Sequence, residues 1–387
     1  MTTWIDHFPG NFQWSNATLV TKGMAPYGAV ALGEIDEVCE RLRQRQHEPH
    51  AWWEEWSAMG ARLEEAAAAA EAEGRRFTAG DCFLRAGMYY FTAERFISPG
   101  AEKREMGRKA IQCQHAGFER RHPNIERVEV PYEGITLPAL FMKAPEVSGR
   151  APAMVAFDGL DNCKEMSVLF NGLEFARRGW HTLAIDGPGQ GESLRLRNIL
   201  TRYDYEAAGT AAYDYVTSRP DVEAKKVAVM GYSFGGYYAP RVCAFEKRYA
   251  ACVAFGAMHW NMEQWVDGIR QAVKTDAKKS AQSHFQVPWV FGAKDLDEAV
   301  EMAKRFNLAE VAARIECPFL VVHGENDRIV PVDSAKKLYE AVGSKRKTFK
   351  VFTADEGGAE HCQVDNRQVG IDYIADWLSA TLEERES

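Results

Sequence analysis

The sequence predicts an α/β protein: a mostly parallel sheet with helices on both faces, a helical domain ahead of it and a helical insertion within it. Three observations carry that expectation. The chain is helical in pattern over roughly its first 125 residues; from Val128 onward strand-like runs alternate with helical ones; and one strand runs into Gly231-Tyr-Ser233-Phe-Gly235 and then another helical stretch.

The helical part spans about Trp14 to Arg120, with stretches at Ile35 to Leu42, Ala51 to Arg76, Ala79 to Arg95 and Lys103 to His122. Its cluster Trp52, Trp53, Trp56 reads as core or interface packing rather than a ligand box. The basic residues Lys103, Arg104, Arg108 and Lys109 read as a solvated helix face. Residues 1–125 are therefore expected to form a helical accessory domain, and residues 126–387 a second domain.

At Arg127 the period shortens to two. Val128 to Val130 and Leu137 to Met142 flank Glu133-Gly134 as in a hairpin. Strands at Ala153 to Phe157, Thr182 to Ile185, Lys226 to Met230 and Ala251 to Phe255 alternate with helical stretches at Lys164 to Arg178, Tyr205 to Ser218 and Tyr237 to Phe245, which implies right-handed βαβ crossovers. The next strand is Phe319 to Val322, then Thr348 to Phe352 and a helix from about Val369. Residues of about 259–310, with Trp260, Trp265 and Trp289, are too many for an ordinary loop and are expected to be a helical cap.

Composition narrows the function. Lys and Arg number 47 against 55 Asp and Glu, a formal charge of −8, which repels phosphate backbones and anionic membranes. Nucleic acid is not an expected partner. The eight cysteines form no C-x-x-C pair and no regular spacing, so neither a zinc ribbon nor a disulfide scaffold is indicated. No basic and apolar leader opens the chain and no run reaches membrane-spanning length, so a cytoplasmic protein without membrane association is expected.

The sharpest chemical signal is the strand, G-x-S-x-G and helix around Ser233. A nucleophile on such a sharp, strained turn has its Oγ exposed, and the flanking glycines let strand and helix backbones approach. Partners are expected in the order serine, acid, histidine. Asp327 follows the strand Phe319 to Val322, with Glu325 as the rival acid, and His361 lies in a glycine-containing loop after the last strand. His323, His259 and Cys362 read as structural. The oxyanion of an acyl-transfer intermediate needs two backbone donors, here the N–H of Phe234 and that of Leu160 in the loop Asp158-Gly159-Leu160 after an earlier strand. Asp186-Gly-Pro-Gly-Gln-Gly191 lacks the G-K-[ST] of a phosphate loop and reads as a tight turn.

Over about Val128 to Leu382 these residues resemble the α/β-hydrolase superfamily. More narrowly, the helical N-terminal part together with Phe157-Asp-Gly-Leu-Asp-Asn-Cys-Lys-Glu165 is similar to the 2,6-dihydroxypseudooxynicotine hydrolase group and to fungal polyketide-shortening hydrolases. That resemblance implies hydrolysis of a carbon–carbon bond beside a ketone in an aromatic or polyketide-like small molecule, without metal or cofactor, commonly by a homodimer with its site between the two domains. It also implies a catalytic carboxylate at Glu165, which by position alone is equally an N-terminal helix residue favoured by the macrodipole. A carboxylic ester is the alternative substrate, and a binder that has lost catalysis the remote one.

Overall fold

The computed structural model describes residues 4–145, 147–257, 260–275 and 284–383. The chain divides into two compact units: helices up to Ile125, joined by residues 284–286, and the remainder from Glu126.

The first unit contains α1 (Phe12–Lys22), α2 (Leu32–Gln44), α3 (Ala51–Ala72), α4 (Arg76–Glu94) and α5 (Ala101–Arg121). Asn11 starts α1 by accepting the Trp14 N–H through its side chain at 3.1 Å, as an N-cap does. The core is aromatic: Trp14, Trp52, Trp56 and Tyr89 follow one another at centroid separations of 5.3, 5.5 and 5.6 Å. Two of the three clustered tryptophans are thus core, while Trp53 is half-buried beside His50. One expectation fails. Lys103 is not on a solvated face: it is buried and pairs with Glu94 Oε2 at 2.5 Å, because its place on α5 faces the core, where a charge persists only with a partner. Arg104 and Arg108 are exposed.

The second unit is built on an eight-stranded sheet in the order β1-β2-β4-β3-β5-β6-β7-β8. The strands are β1 (Ile125–Tyr132), β2 (Ile135–Met142), β3 (Ala151–Phe157), β4 (His181–Ile185), β5 (Val222–Tyr232), β6 (Ala251–Phe255), β7 (Phe319–Gly324) and β8 (Lys347–Phe352). Glu133 and Gly134 turn β1 into β2 with φ of 45° and 82°, the left-handed pair a two-residue hairpin requires. β2 runs antiparallel to β4, and every later pairing is parallel. β4, β6 and β7 are buried along their whole length and, apart from His181, Thr182 and His323, apolar, as strands covered on both faces must be.

Two local differences from expectation have simple causes. The helical stretch after β3 is broken into α6 (Lys164–Ser167), a π turn over Val168–Gly172, and α7 (Leu173–Arg177). Asn171 and Gly172 are weak helix formers at that point. A helix over Val332–Ala341, opened by Pro331 and burying Ala335 and Leu338, adds a crossover between β7 and β8 beyond those expected from the sequence.

α8 (Gly191–Arg195), α9 (Glu206–Ser218) and α10 (Gly235–Phe245) follow β4 and β5. Between β6 and β7 lie α11 (Met262–Thr275) and helices at Gln286–Phe291 and Leu296–Ala303. His259 and residues 276–283 of this stretch are outside the described residues. Phe291 and Phe306 from it pack on Phe234, the residue after Ser233, at centroid distances of 6.0 and 5.7 Å.

Candidate active site

Parallel strands end on one edge of a sheet, and the loops leaving that edge converge. Here β3 leads to Asp158, β5 to Ser233, β7 to Asp327 and β8 to His361.

Ser233 has φ of +55°, a left-handed conformation that a non-glycine residue adopts only when its surroundings impose it. Its N–H is held by Phe255 O at 2.8 Å and its carbonyl by Gly236 N–H at 2.8 Å. A Cβ on Gly231 would stand 1.9 Å from Gly235 O, so no other residue fits there. Phe234 opens the first turn of α10, where backbone N–H groups lack intrahelical partners.

The three sequence-predicted side chains meet. His361 Nε2 lies 2.8 Å from Ser233 Oγ, and His361 Nδ1 lies 2.7 Å from Asp327 Oδ2. The other oxygen of Asp327 accepts the N–H groups of Ile329 and Val330, each at 2.8 Å. Burial alone would lower the basicity of His361, but the Asp327 carboxylate outweighs it and holds the imidazole well above 6.5. Asp327 is the converse case: burial opposes its charge, and the histidine brings it below the usual carboxylate range.

The rivals are placed elsewhere. Glu325 is exposed and accepts the Ala354 N–H at 2.5 Å. His323 is buried, bonds Val330 O at 2.8 Å and is 3.4 Å from Asp327 Oδ2. Cys362 Sγ sits 3.5 Å from His361 Nε2. Cys362 and Gln363 both have φ of +49°, two strained residues in succession that sequence patterns do not announce.

Glu165 lies one residue into α6 and pairs at 2.7 Å with Lys164 Nζ, which also meets Asp186 Oδ2 at 3.1 Å and Glu192 Oε2 at 2.9 Å. All four side chains are buried. Asp186 further accepts the N–H groups of Lys164 and Glu192, each at 2.7 Å. The glycine turn after β4 is thus organised around an ammonium and three carboxylates, a feature hidden in sequence because its members come from two loops. Among the described residues no group of three or more His, Cys, Asp or Glu is arranged to hold a metal, and no helix is long and apolar enough to cross a membrane.

A parallel sheet flanked by helices, with a strained serine after a central strand facing a histidine and an aspartate from later loops, defines an α/β hydrolase. Sequence comparison narrows the class: the chain belongs to the prolyl oligopeptidase family, which it matches over residues 175–385. It is 28% identical over 346 residues to the 2,6-dihydropseudooxynicotine hydrolase of Paenarthrobacter nicotinovorans, covering 86% of this chain and 84% of that one. It is 24% identical over 400 residues to the 20-hydroxy-prefusarin hydrolase of Gibberella moniliformis, covering 93% and 94%. A crystal structure of a 2,6-dihydroxy-pseudo-oxynicotine hydrolase superposes with a TM-score of 0.76 at 24% identity, over 92% of this chain and 94% of the other. The protein is accordingly a hydrolase, and the structural likeness extends along nearly the whole chain.

Proposed function

We propose that Ser233, His361 and Asp327 form a catalytic triad that hydrolyses a carbon–carbon bond next to a ketone in an aromatic or polyketide-like small molecule. The observation that carries the chemistry is the continuous chain from Asp327 Oδ2 through both ring nitrogens of His361 to Ser233 Oγ, at 2.7 and 2.8 Å. The similarity to the dihydropseudooxynicotine and prefusarin hydrolases supports the bond type.

In this mechanism Ser233 Oγ attacks the ketone carbon and His361 Nε2 takes the hydroxyl proton. The oxyanion is held by the Phe234 and Leu160 N–H groups. Collapse breaks the carbon–carbon bond, and its electron pair leaves with a carbon whose adjacent carbonyl or aromatic ring delocalises it. The His361 imidazolium returns the proton to that carbon. Water, deprotonated by His361, then hydrolyses the acyl-enzyme. No metal or cofactor enters any step.

The resemblance to carbon–carbon hydrolases also implies that Glu165 assists this proton transfer from His361 to the departing carbon. Its ion pair with buried Lys164 supports a second reading, in which Glu165 is a structural counter-charge. The test compares a 1,3-diketone or acyl-phenol with a short p-nitrophenyl ester, using wild type, Ser233→Ala and Glu165→Gln. Ser233→Ala is expected to abolish all turnover; substantial residual activity would sink the triad. Loss of ketone cleavage in Glu165→Gln at unchanged thermal midpoint favours the proton role, and retained cleavage with a lowered midpoint the structural one. Fast ester turnover with an inert ketone would make the protein a carboxylesterase. The same resemblance carries a homodimer, which light scattering reads directly.

A further inference from the structure

The triad reading needs two backbone donors, on separate chain segments, to face one oxygen atom. Phe234 belongs to the elbow after β5 and Leu160 to the loop after β3. The ladder between these strands runs as far as the pair Phe157–Gly231, so both donors lie past its last register pair. Side chains cross the gap instead. Tyr232 OH donates to Asp158 Oδ1 at 2.5 Å, and Ser167 Oγ donates to the same oxygen. The Ser167 and Tyr232 hydroxyls are 3.2 Å apart, and Asn162 Nδ2 donates to Tyr232 OH at 3.1 Å. Asp158, Ser167 and Tyr232 are all buried, and Phe170 of the π turn packs edge-on against the Tyr232 ring.

We propose that the hydrogen bond between Tyr232 and Asp158 is the brace that sets the width of the oxyanion site, making these two side chains positioning residues for attack by Ser233. The inference rests on the triad reading above. Each bonded residue is next to, or two from, a group that must be placed: Tyr232 precedes Ser233, and Asp158 stands two residues before Leu160. The segments are already in contact, since a Cβ on Gly159 would lie 2.9 Å from Ser233 Cβ, so movement of one is passed to the other. A displacement of about 1 Å at a reacting centre can cost about 10²-fold in rate.

The state of the brace fits this work. Burial, reinforced by the Asp186 carboxylate, pushes the Asp158 carboxyl well above the usual range. Its Oδ1 accepts two bonds, whereas Oδ2 is buried without a hydrogen-bond partner, which a protonated oxygen tolerates better than a charged one. A neutral acid beside the oxyanion loop also adds no negative charge to oppose the one that develops there.

The test is the rate of Ser233 phosphonylation by a fluorophosphonate, measured for wild type and for Ser233→Ala, Tyr232→Phe, Asp158→Ala, Asp158→Asn and the Tyr232→Phe/Asp158→Ala double variant. Tyr232→Phe and Asp158→Ala should each slow labelling about tenfold or more, and the double variant should be no more than about twofold slower than Asp158→Ala, because both substitutions remove the Tyr232–Asp158 bond. Asp158→Asn keeps the accepting oxygen and should recover to within about threefold of wild type. A purely structural role would lower the labelled fraction and leave the rate constant unchanged. If Asp158→Ala does not fold, Tyr232→Phe carries the test alone. Labelling of Tyr232→Phe at the wild-type rate, or losses that multiply in the double variant, would overturn the brace. Wild-type protein that does not label at Ser233 would overturn the triad reading, and the brace with it.

Discussion

Asp327→Asn tests the proposed triad at the bond that selects the histidine tautomer. The consequence follows from the other side of the same carboxylate. Asp327 Oδ1 accepts two backbone N–H groups at 2.8 Å, while Oδ2 faces His361 Nδ1 at 2.7 Å. An asparagine amide must keep its oxygen toward Ile329 and Val330, because turning its NH2 there would set donor against donor twice, at about 1–3 kcal/mol for each unsatisfied N–H. The NH2 group is then forced toward His361 Nδ1, which becomes an acceptor and moves the ring proton to Nε2. That nitrogen faces Ser233 Oγ and can no longer take its proton. Activity survives only through the flipped amide, about 2–6 kcal/mol uphill, so kcat should fall by about 30-fold to about 10⁴-fold at roughly 1.4 kcal/mol per decade. Steady-state turnover of a p-nitrophenyl ester measures it, with circular dichroism to establish folding. Glu325→Gln is the control, expected within about twofold of wild type because Glu325 is exposed and bonds Ala354. A folded Asp327→Asn protein with less than about threefold loss would refute the reasoning.

Further outcomes follow from the same geometry. His361 must be neutral to accept a proton, and its folded-state value is raised well above 6.5, so protonation persists to higher pH and the acid limb of kcat/KM should have its midpoint above pH 6.5. A midpoint below that, read from a kcat/KM profile, contradicts the Asp327 contribution. Lys164→Met should leave Glu165, Asp186 and Glu192 buried without their shared cation and destabilise the fold by about 3–5 kcal/mol, measured by urea unfolding. An unchanged unfolding midpoint would mean that the cluster is not held by its ammonium.

How much of this was legible in the sequence depended on how local the cause was. The two-residue period of β1, the Glu133-Gly134 turn and the apolar runs of β6 and β7 are set by side chains within a few positions, and the pattern exposes them directly; β2 instead is buried without alternation from Leu137 to Met142. Ser233 was legible for the same reason, since the glycines that make its turn possible flank it. Chain order leaves Asp327 and Glu325 both eligible, since each lies between Ser233 and His361 in the loop after one strand, and the structure separates them by which side chain turns inward.

What only the tertiary structure decided is what distant segments do when they meet. Nothing near Lys103 announces its burial beside Glu94, because that depends on the neighbours α5 acquires. The Lys164 cluster draws on the loops after β3 and β4, and the Asp158–Tyr232 bond joins residues 74 apart in sequence. Periodicity specifies which face of an element is apolar, since burial of apolar surface is additive and tolerant of exact partners. Buried polar groups are the opposite case: each needs a particular partner at hydrogen-bond distance, and only the packed chain determines which one arrives.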